Sequence, residues 1–203
     1  MVRVAVVIAI AIFSALPLAA QNLLVNPGFD NVDQLDGWSC STANGNATWS
    51  PEDRSGSATS GSMQHDVTAA SDNRYLWCNQ CVPVDEFETY VASMWVYWPD
   101  DPDVTQGGSP RIEVDFHANT TCDSFLHLGD IQTMGYPLYD TWNFLSTNPA
   151  TAPAGAQSAL LFLLTWQDLA DEPVRARIDD VDFHSTTIFR DGFESGDTIA
   201  WEP

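Results

Sequence analysis

Beyond its first twenty residues the chain carries no sustained apolar spacing of 3.6, whereas several short segments alternate with period two between clusters of Gly, Pro, Asn, Asp and Ser. In Tyr90 to Trp98 the even positions Tyr90, Ala92, Met94, Val96 and Trp98 form one apolar face, and Val91, Ser93, Trp95 and Tyr97 a mixed aromatic one. The even face is expected to be core. In Arg111 to His117, Ile112, Val114 and Phe116 point one way while Arg111, Glu113, Asp115 and His117 point the other, the pattern of a half-buried antiparallel strand. Ala159 to Trp166 is apolar in both registers. It reads as a central strand, buried on both sides or facing a ligand groove, with a short helix as the alternative.

Near the end of the chain the parity changes. Val174, Ala176 and Ile178 are apolar at even numbers, but Val181 and Phe183 at odd ones. A one-residue shift turns every later side chain to the opposite face, so a continuous strand here requires a β-bulge at Asp179 and Asp180. Ser39 to Gly61 and Pro99 to Pro110 read as long polar loops. Loops of that length suit a sandwich with crossing connections better than a meander of hairpins, so the expected class is all-β: a β-sandwich jelly roll of two antiparallel sheets.

Composition narrows the chemistry. At 203 residues the chain is long enough for one domain with short appendages. Its formal charge is -21, which opposes binding to phosphate backbones and anionic membranes, so nucleic acid is excluded as a partner. All of its basic residues are arginines, which removes lysine Schiff bases and phosphate-loop lysines. Hydrophobic residues make up 44% of the chain, enough for a packed core despite the acidity.

Arg3, the apolar run Val4 to Phe13 and the small residues up to Ala20 read as a secretory signal over residues 1–20, too short for a membrane span. The expected location is therefore secreted or extracellular, with no membrane insertion once the signal is removed. Export leaves Cys40, Cys78, Cys81 and Cys122, an even number, which in an oxidising compartment favours two disulfides. Three pairings exist. Cys40 with Cys78 and Cys81 with Cys122 is preferred, because it joins strand ends to neighbouring loops and avoids a strained ring within Cys78-Asn-Gln-Cys81.

Two segments carry a resemblance. Asn22-Leu-Leu-Val-Asn-Pro-Gly-Phe-Asp30 followed by Gly37-Trp38 resembles the opening of bacterial carbohydrate-binding modules of families 4, 9 and 22, of the galactose-binding-like jelly-roll type. Arg177-Ile-Asp-Asp-Val-Asp-Phe183 resembles their closing strand. Between them Arg54 to Met63, Tyr90 to Val96, and Trp142 with Pro153 to Ala159 follow in the same order. The likeness covers residues 22–185. Residues 186–203 form a tail whose Gly192-Phe193-Glu194 and Trp201 echo Gly28-Phe29-Asp30 and Trp38.

The resemblance implies a structural calcium ion linking the first loop to the last strand, and a sugar groove on the concave sheet. Carried over by position, the metal candidates are Asp30, Asp179 and the adjoining Asp180, with carbonyls from Arg54 to Ser57 completing an oxygen shell. The alternative is that these aspartates are solvated turn residues. A sugar groove needs flat aromatic faces for pyranose C–H surfaces and polar groups for hydroxyls. Trp95 and Tyr97 are the first candidates, and Arg111, Glu113, Asp115 and His117 would flank them if the two strands lie side by side. Trp166 is a third ring and Trp77 a fourth, while Trp38 and Trp142 fall in scaffold positions.

No nucleophile elbow or metal-spaced histidine pair is present, and with 28 acidic residues some carboxylate pair always falls at a suitable separation. The expected function is thus a secreted, non-catalytic module binding a polysaccharide or glycan. The rival is an adhesive or structural surface module of the same fold that binds no sugar.

Overall fold

The computed structural model describes residues 21–30, 32–68, 74–101, 107–135, 137–168 and 172–186. The predicted signal and residues 187–203 of the predicted tail lie outside them. Among the described residues all regular structure is β: β1 (Ser39–Cys40), β2 (Gly45–Ser50), β3 (Ser62–Val67), β4 (Arg74–Pro83), β5 (Thr89–Tyr97), β6 (Gly108–His117), β7 (Phe125–Thr133), β8 (Trp142–Ser146), β9 (Ala150–Thr151), β10 (Ser158–Gln167) and β11 (Val174–Ser185). No helix among them is long and apolar enough to cross a membrane.

Two antiparallel sheets form, one ordered β1-β4-β10-β6-β7 and the other β2-β3-β11-β5-β8, with β9 also pairing β5. Their inner faces carry the alternating apolar positions. Tyr90, Ala92, Met94 and Val96 of β5, with Val174, Ala176, Ile178, Val181 and Phe183 of β11, meet Ile112, Val114 and Phe116 of β6 and Ala159, Leu161 and Leu163 of β10. The period-two pattern fails where predicted. The register of β11 on β5 slips between Asp179 and Asp182, and Asp180 takes a left-handed backbone (φ 44°), so Ile178 and Val181 both face the core.

The Ala159 to Trp166 segment is a central strand, between β4 and β6, and not a helix. Its close fit to β6 depends on Gly108, where a Cβ would stand 2.2 Å from the Trp166 carbonyl oxygen. The start and finish of the described chain are joined by hydrogen bonds. Leu23 N donates to Phe183 O, and Asn22 donates through Nδ2 to Val181 O while its Oδ1 accepts from Phe183 N. Both expected disulfides are present, Cys40–Cys78 and Cys81–Cys122.

Two expectations are corrected. Ser39 to Gly61 is not all loop, since β1 pairs β4 and β2 pairs β3 along six residues. The alternation in β2 is hidden because its inward positions include Gly45 and Ala47 beside Trp49, amid small polar residues. Nor do the Tyr90 and Arg111 strands lie side by side. β5 neighbours β11 and β8 in one sheet, whereas β6 neighbours β10 and β7 in the other.

Candidate functional site

The separation of β5 from β6 divides the predicted sugar-binding residues between opposite surfaces of the sandwich. Trp95 and Tyr97 lie half-buried on the outer face of the β11-containing sheet, each with a guanidinium over its ring. The Arg54 guanidinium lies 4.6 Å from the Trp95 ring centroid and that of Arg177 lies 5.4 Å from the Tyr97 ring. Phe144 packs on Trp95 and Trp142 on Tyr97. Arg54 is held by Asp180 and Arg177 by Glu52. These rings form an ion-pinned aromatic layer, with guanidinium groups where a pyranose would stack.

Trp166, Arg111 and Glu113 come together on the outer face of the other sheet. The antiparallel registers explain how. Trp166 stands opposite Tyr75, Leu164 opposite both Trp77 and Arg111, Phe162 opposite Glu113, and Leu160 opposite Asp115, so side chains from three adjacent strands share one face. The result is a groove of about 330 Å³ with an aromatic flank on β4 and β10 and a charged flank on β6. That size is at the lower end of the roughly 300–1,000 Å³ usual for small-ligand sites. Tyr75 and Trp166 stack at 5.2 Å and 15°, and Trp77 meets Phe162 edge-on at 5.9 Å.

The charged flank is left short of partners. Arg111 Nε is buried and stands 3.6 Å from Glu113 Oε2, within ion-pair range but beyond hydrogen-bond length, and Asp115 Oδ1 is buried with no hydrogen-bond partner. Burial raises the pKa of both carboxyls, and for Glu113 the charge of Asp115 adds to it. Native interiors rarely leave such groups unsatisfied, so an orphaned acceptor on a groove wall is suited to an incoming donor.

His117 continues the β6 face but lies outside the groove lining. It is 5% exposed, sits edge-on to Phe125, and has both ring nitrogens buried without a partner, with its pKa lowered by burial. Ser158 faces it across the sheet and bonds the Asn119 carbonyl, in the segment that the Cys81–Cys122 bridge ties to β4. That end of the face is closed by the bridged loop.

Tyr75, Phe162 and Leu164 were not singled out from the sequence. Their signal was present: Tyr75 and Trp77 are two apart, and Leu160, Phe162, Leu164 and Trp166 share one parity. Without knowing that β4, β10 and β6 are neighbours, nothing assigns that parity to the outer face.

Of the three metal candidates, Asp179 and Asp180 adjoin at the bulge of β11, beside the segment that leads to Asp30, where Val181 N donates to Pro27 O. Asp179 is fully buried, its Oδ2 accepting from Arg54 N at 2.8 Å and its Oδ1 from Asp180 N at 2.7 Å. Burial pushes its pKa up to about 7 in spite of these two bonds, with the charges of Asp180 and Asp53 adding to the rise. Asp180 stands beside it and holds Arg54. Asp30 is exposed in the preceding turn, where its backbone bonds Asn26, Asp33 and Gln34. Among the described residues no group of three or more His, Cys, Asp or Glu is arranged to hold a metal. The one feature here that fits a hard cation is the uncompensated Asp179 carboxyl.

No family model and no curated protein matches the sequence. The fold, by contrast, has many solved counterparts. The enzymatically active domain of bacteriophage CBA120 tailspike protein 4 superposes with a TM-score of 0.60 at 13% identity, over 81% of this chain and 21% of that one. The family 61 carbohydrate-binding module TmCBM61, solved with β-1,4-galactotriose, gives 0.54 at 12% identity over 82% of this chain and 99% of that one. The family 22 module with the catalytic module of Clostridium thermocellum xylanase 10B, solved with xylohexaose, gives 0.53 at 14% over 83% and 29%. The chain thus has the β-sandwich architecture of carbohydrate-binding modules, and it spans only part of the tailspike and xylanase chains.

Proposed function

We propose that this chain is a non-catalytic glycan-binding module whose site is the groove between Tyr75, Trp77, Trp166 and the β6 charges. The observation that carries the reading is the combination of stacked aromatic rings with the orphaned Asp115 Oδ1 on the facing wall. Pyranose rings present C–H faces to aromatics and hydroxyls to buried acceptors, so one ligand class meets both demands. The architecture shared with sugar-binding modules supports the same reading. Two disulfides suit an oxidising compartment, in keeping with secretion.

We propose that a structural calcium ion binds at Asp179, with Asp180 and carbonyls of the Arg54 to Ser57 loop. A divalent cation there would neutralise a carboxylate that is otherwise buried without a counter-charge. The module reading is tested by affinity electrophoresis on neutral, cationic and anionic glycans, paired with a hydrolysis assay. Retardation without turnover is expected. Turnover, or free migration on every glycan, overturns it in favour of an enzyme or of a structural module respectively.

A further inference from the structure

The groove's charges do not balance. Two carboxylates, Glu113 and Asp115, project two residues apart from one face of β6, roughly 7 Å along the strand. Among its lining residues Arg111 is the one cation, and it reaches Glu113, so Asp115 has neither counter-charge nor hydrogen-bond donor at Oδ1. The cross-strand neighbours do not help. Leu160 and Leu128 flank Asp115, and Phe162 and Ile131 flank Glu113. Apolar neighbours and partial burial take water from both carboxylates in part and strengthen any charge brought to them. The rest of the molecule adds to the field, with a net charge of -21 and no lysine anywhere in the chain.

We propose that the groove is selective for a cationic glycan, one whose sugars carry a free amino group, with an ammonium seated between Glu113 and Asp115 and a ring face on the Trp166 side. This rests on the reading of the groove as a sugar site and adds the ligand class. A neutral hydroxyl would satisfy Asp115 Oδ1 as a donor but leave the excess charge in place. An ammonium donates to it and cancels the charge together, and charge-assisted bonds are the stronger kind. Uronic or sulfated sugars would bring a third negative charge to the same wall and are rejected.

Three tetrasaccharides with one backbone and different C2 groups separate the possibilities: β-1,4-linked glucose, N-acetylglucosamine and glucosamine. They are titrated by calorimetry at a pH where the amine is protonated, with the Trp indole N–H signals followed in parallel. The glucosamine oligomer should bind at least about tenfold more tightly than the other two, as expected for one charged hydrogen bond. Asp115→Asn and, separately, Glu113→Gln should abolish that preference, while Asp182→Asn on the other sheet leaves it intact. The second groove variant guards against misfolding of the first. Equal or tighter binding of the glucose or N-acetyl oligomer overturns the cationic selectivity and leaves the sugar reading standing. So does a preference that Asp182→Asn reduces as much as Asp115→Asn does, which would be diffuse charge attraction. Failure of all three to move the groove tryptophans overturns the cationic selectivity, and free migration on every glycan of the wider panel overturns the sugar reading as well.

Discussion

The Tyr75 and Trp166 rings lie 5.2 Å apart and nearly parallel, directly opposite each other on β4 and β10. Stacked this way they form one aromatic flank of the groove, whereas on the other sheet Trp95 and Tyr97 each have a guanidinium over the ring. Trp166→Ala should therefore weaken glycan retention about tenfold, the equivalent of roughly 1–1.5 kcal/mol for one aromatic contact. Trp95→Ala should leave retention unchanged, because that ring faces Arg54 on the opposite surface. Affinity electrophoresis of the two variants beside the parent protein checks both outcomes.

His65 is a titrating group inside the core. It is fully buried, with Nδ1 3.0 Å from Thr165 Oγ1 and Nε2 beside Met63 Sδ and Cys78 Sγ, and burial lowers its pKa to about 3 from 6.5. The unfolded chain takes up a proton below about pH 6.5 that the folded chain refuses until about pH 3. Between those values this group makes stability fall as pH falls, by up to about 1.4 kcal/mol per pH unit. Glu113 and Asp115 act in the opposite direction, since raised carboxyl pKa values favour the folded state at low pH. Denaturant titrations of parent and His65→Gln proteins from pH 7 to pH 4 isolate the histidine. The parent should lose more stability over that range than the variant, and equal slopes would contradict the assignment.

Each disulfide closes a loop of similar length, with separations of 38 and 41 residues. Chain-entropy arguments give about 4 kcal/mol for loops of that size. Their roles differ. Cys40–Cys78 staples an edge strand to β4, with Cys78 in the core, whereas Cys81–Cys122 ties down the loop over His117 at the groove's closed end. The paired change Cys81→Ala with Cys122→Ala should lower the melting temperature and also alter glycan affinity. The pair Cys40→Ala with Cys78→Ala should act on stability. Thermal melts combined with retention measurements distinguish them.

Calcium at the Asp179 site binds the folded chain and stabilises it by mass action. The melting temperature should then rise with free calcium and fall with chelator at constant pH, and Asp179→Asn should abolish the dependence. A melt that ignores both additions removes the ion from the account.

Much of the architecture was legible because one face of each long strand is apolar, and period two is hard to disguise in β5, β6 and β11. The bulge was legible for the same reason, since a parity change within one strand has one structural solution. Strand adjacency was not legible. Arg111 and Trp95 each stood on the correct face of the correct strand, yet which sheet a strand joins is decided by long-range pairing that local patterning does not encode. β2 escaped detection because its residues are small and polar, and β7 because, at a sheet edge, its exposed Phe125, Leu126 and Leu128 break the alternation.

The account turns on which aromatic surface meets the ligand. Indole N–H resonances of an isotopically labelled protein report this directly, since Trp77 and Trp166 lie on one outer face and Trp95 and Trp142 on the other. On titration with a retained glycan, the Trp77 and Trp166 signals should shift saturably while those of Trp95 and Trp142 stay in place. Saturable shifts at Trp95 and Trp142 with Trp77 and Trp166 unmoved would contradict the groove assignment.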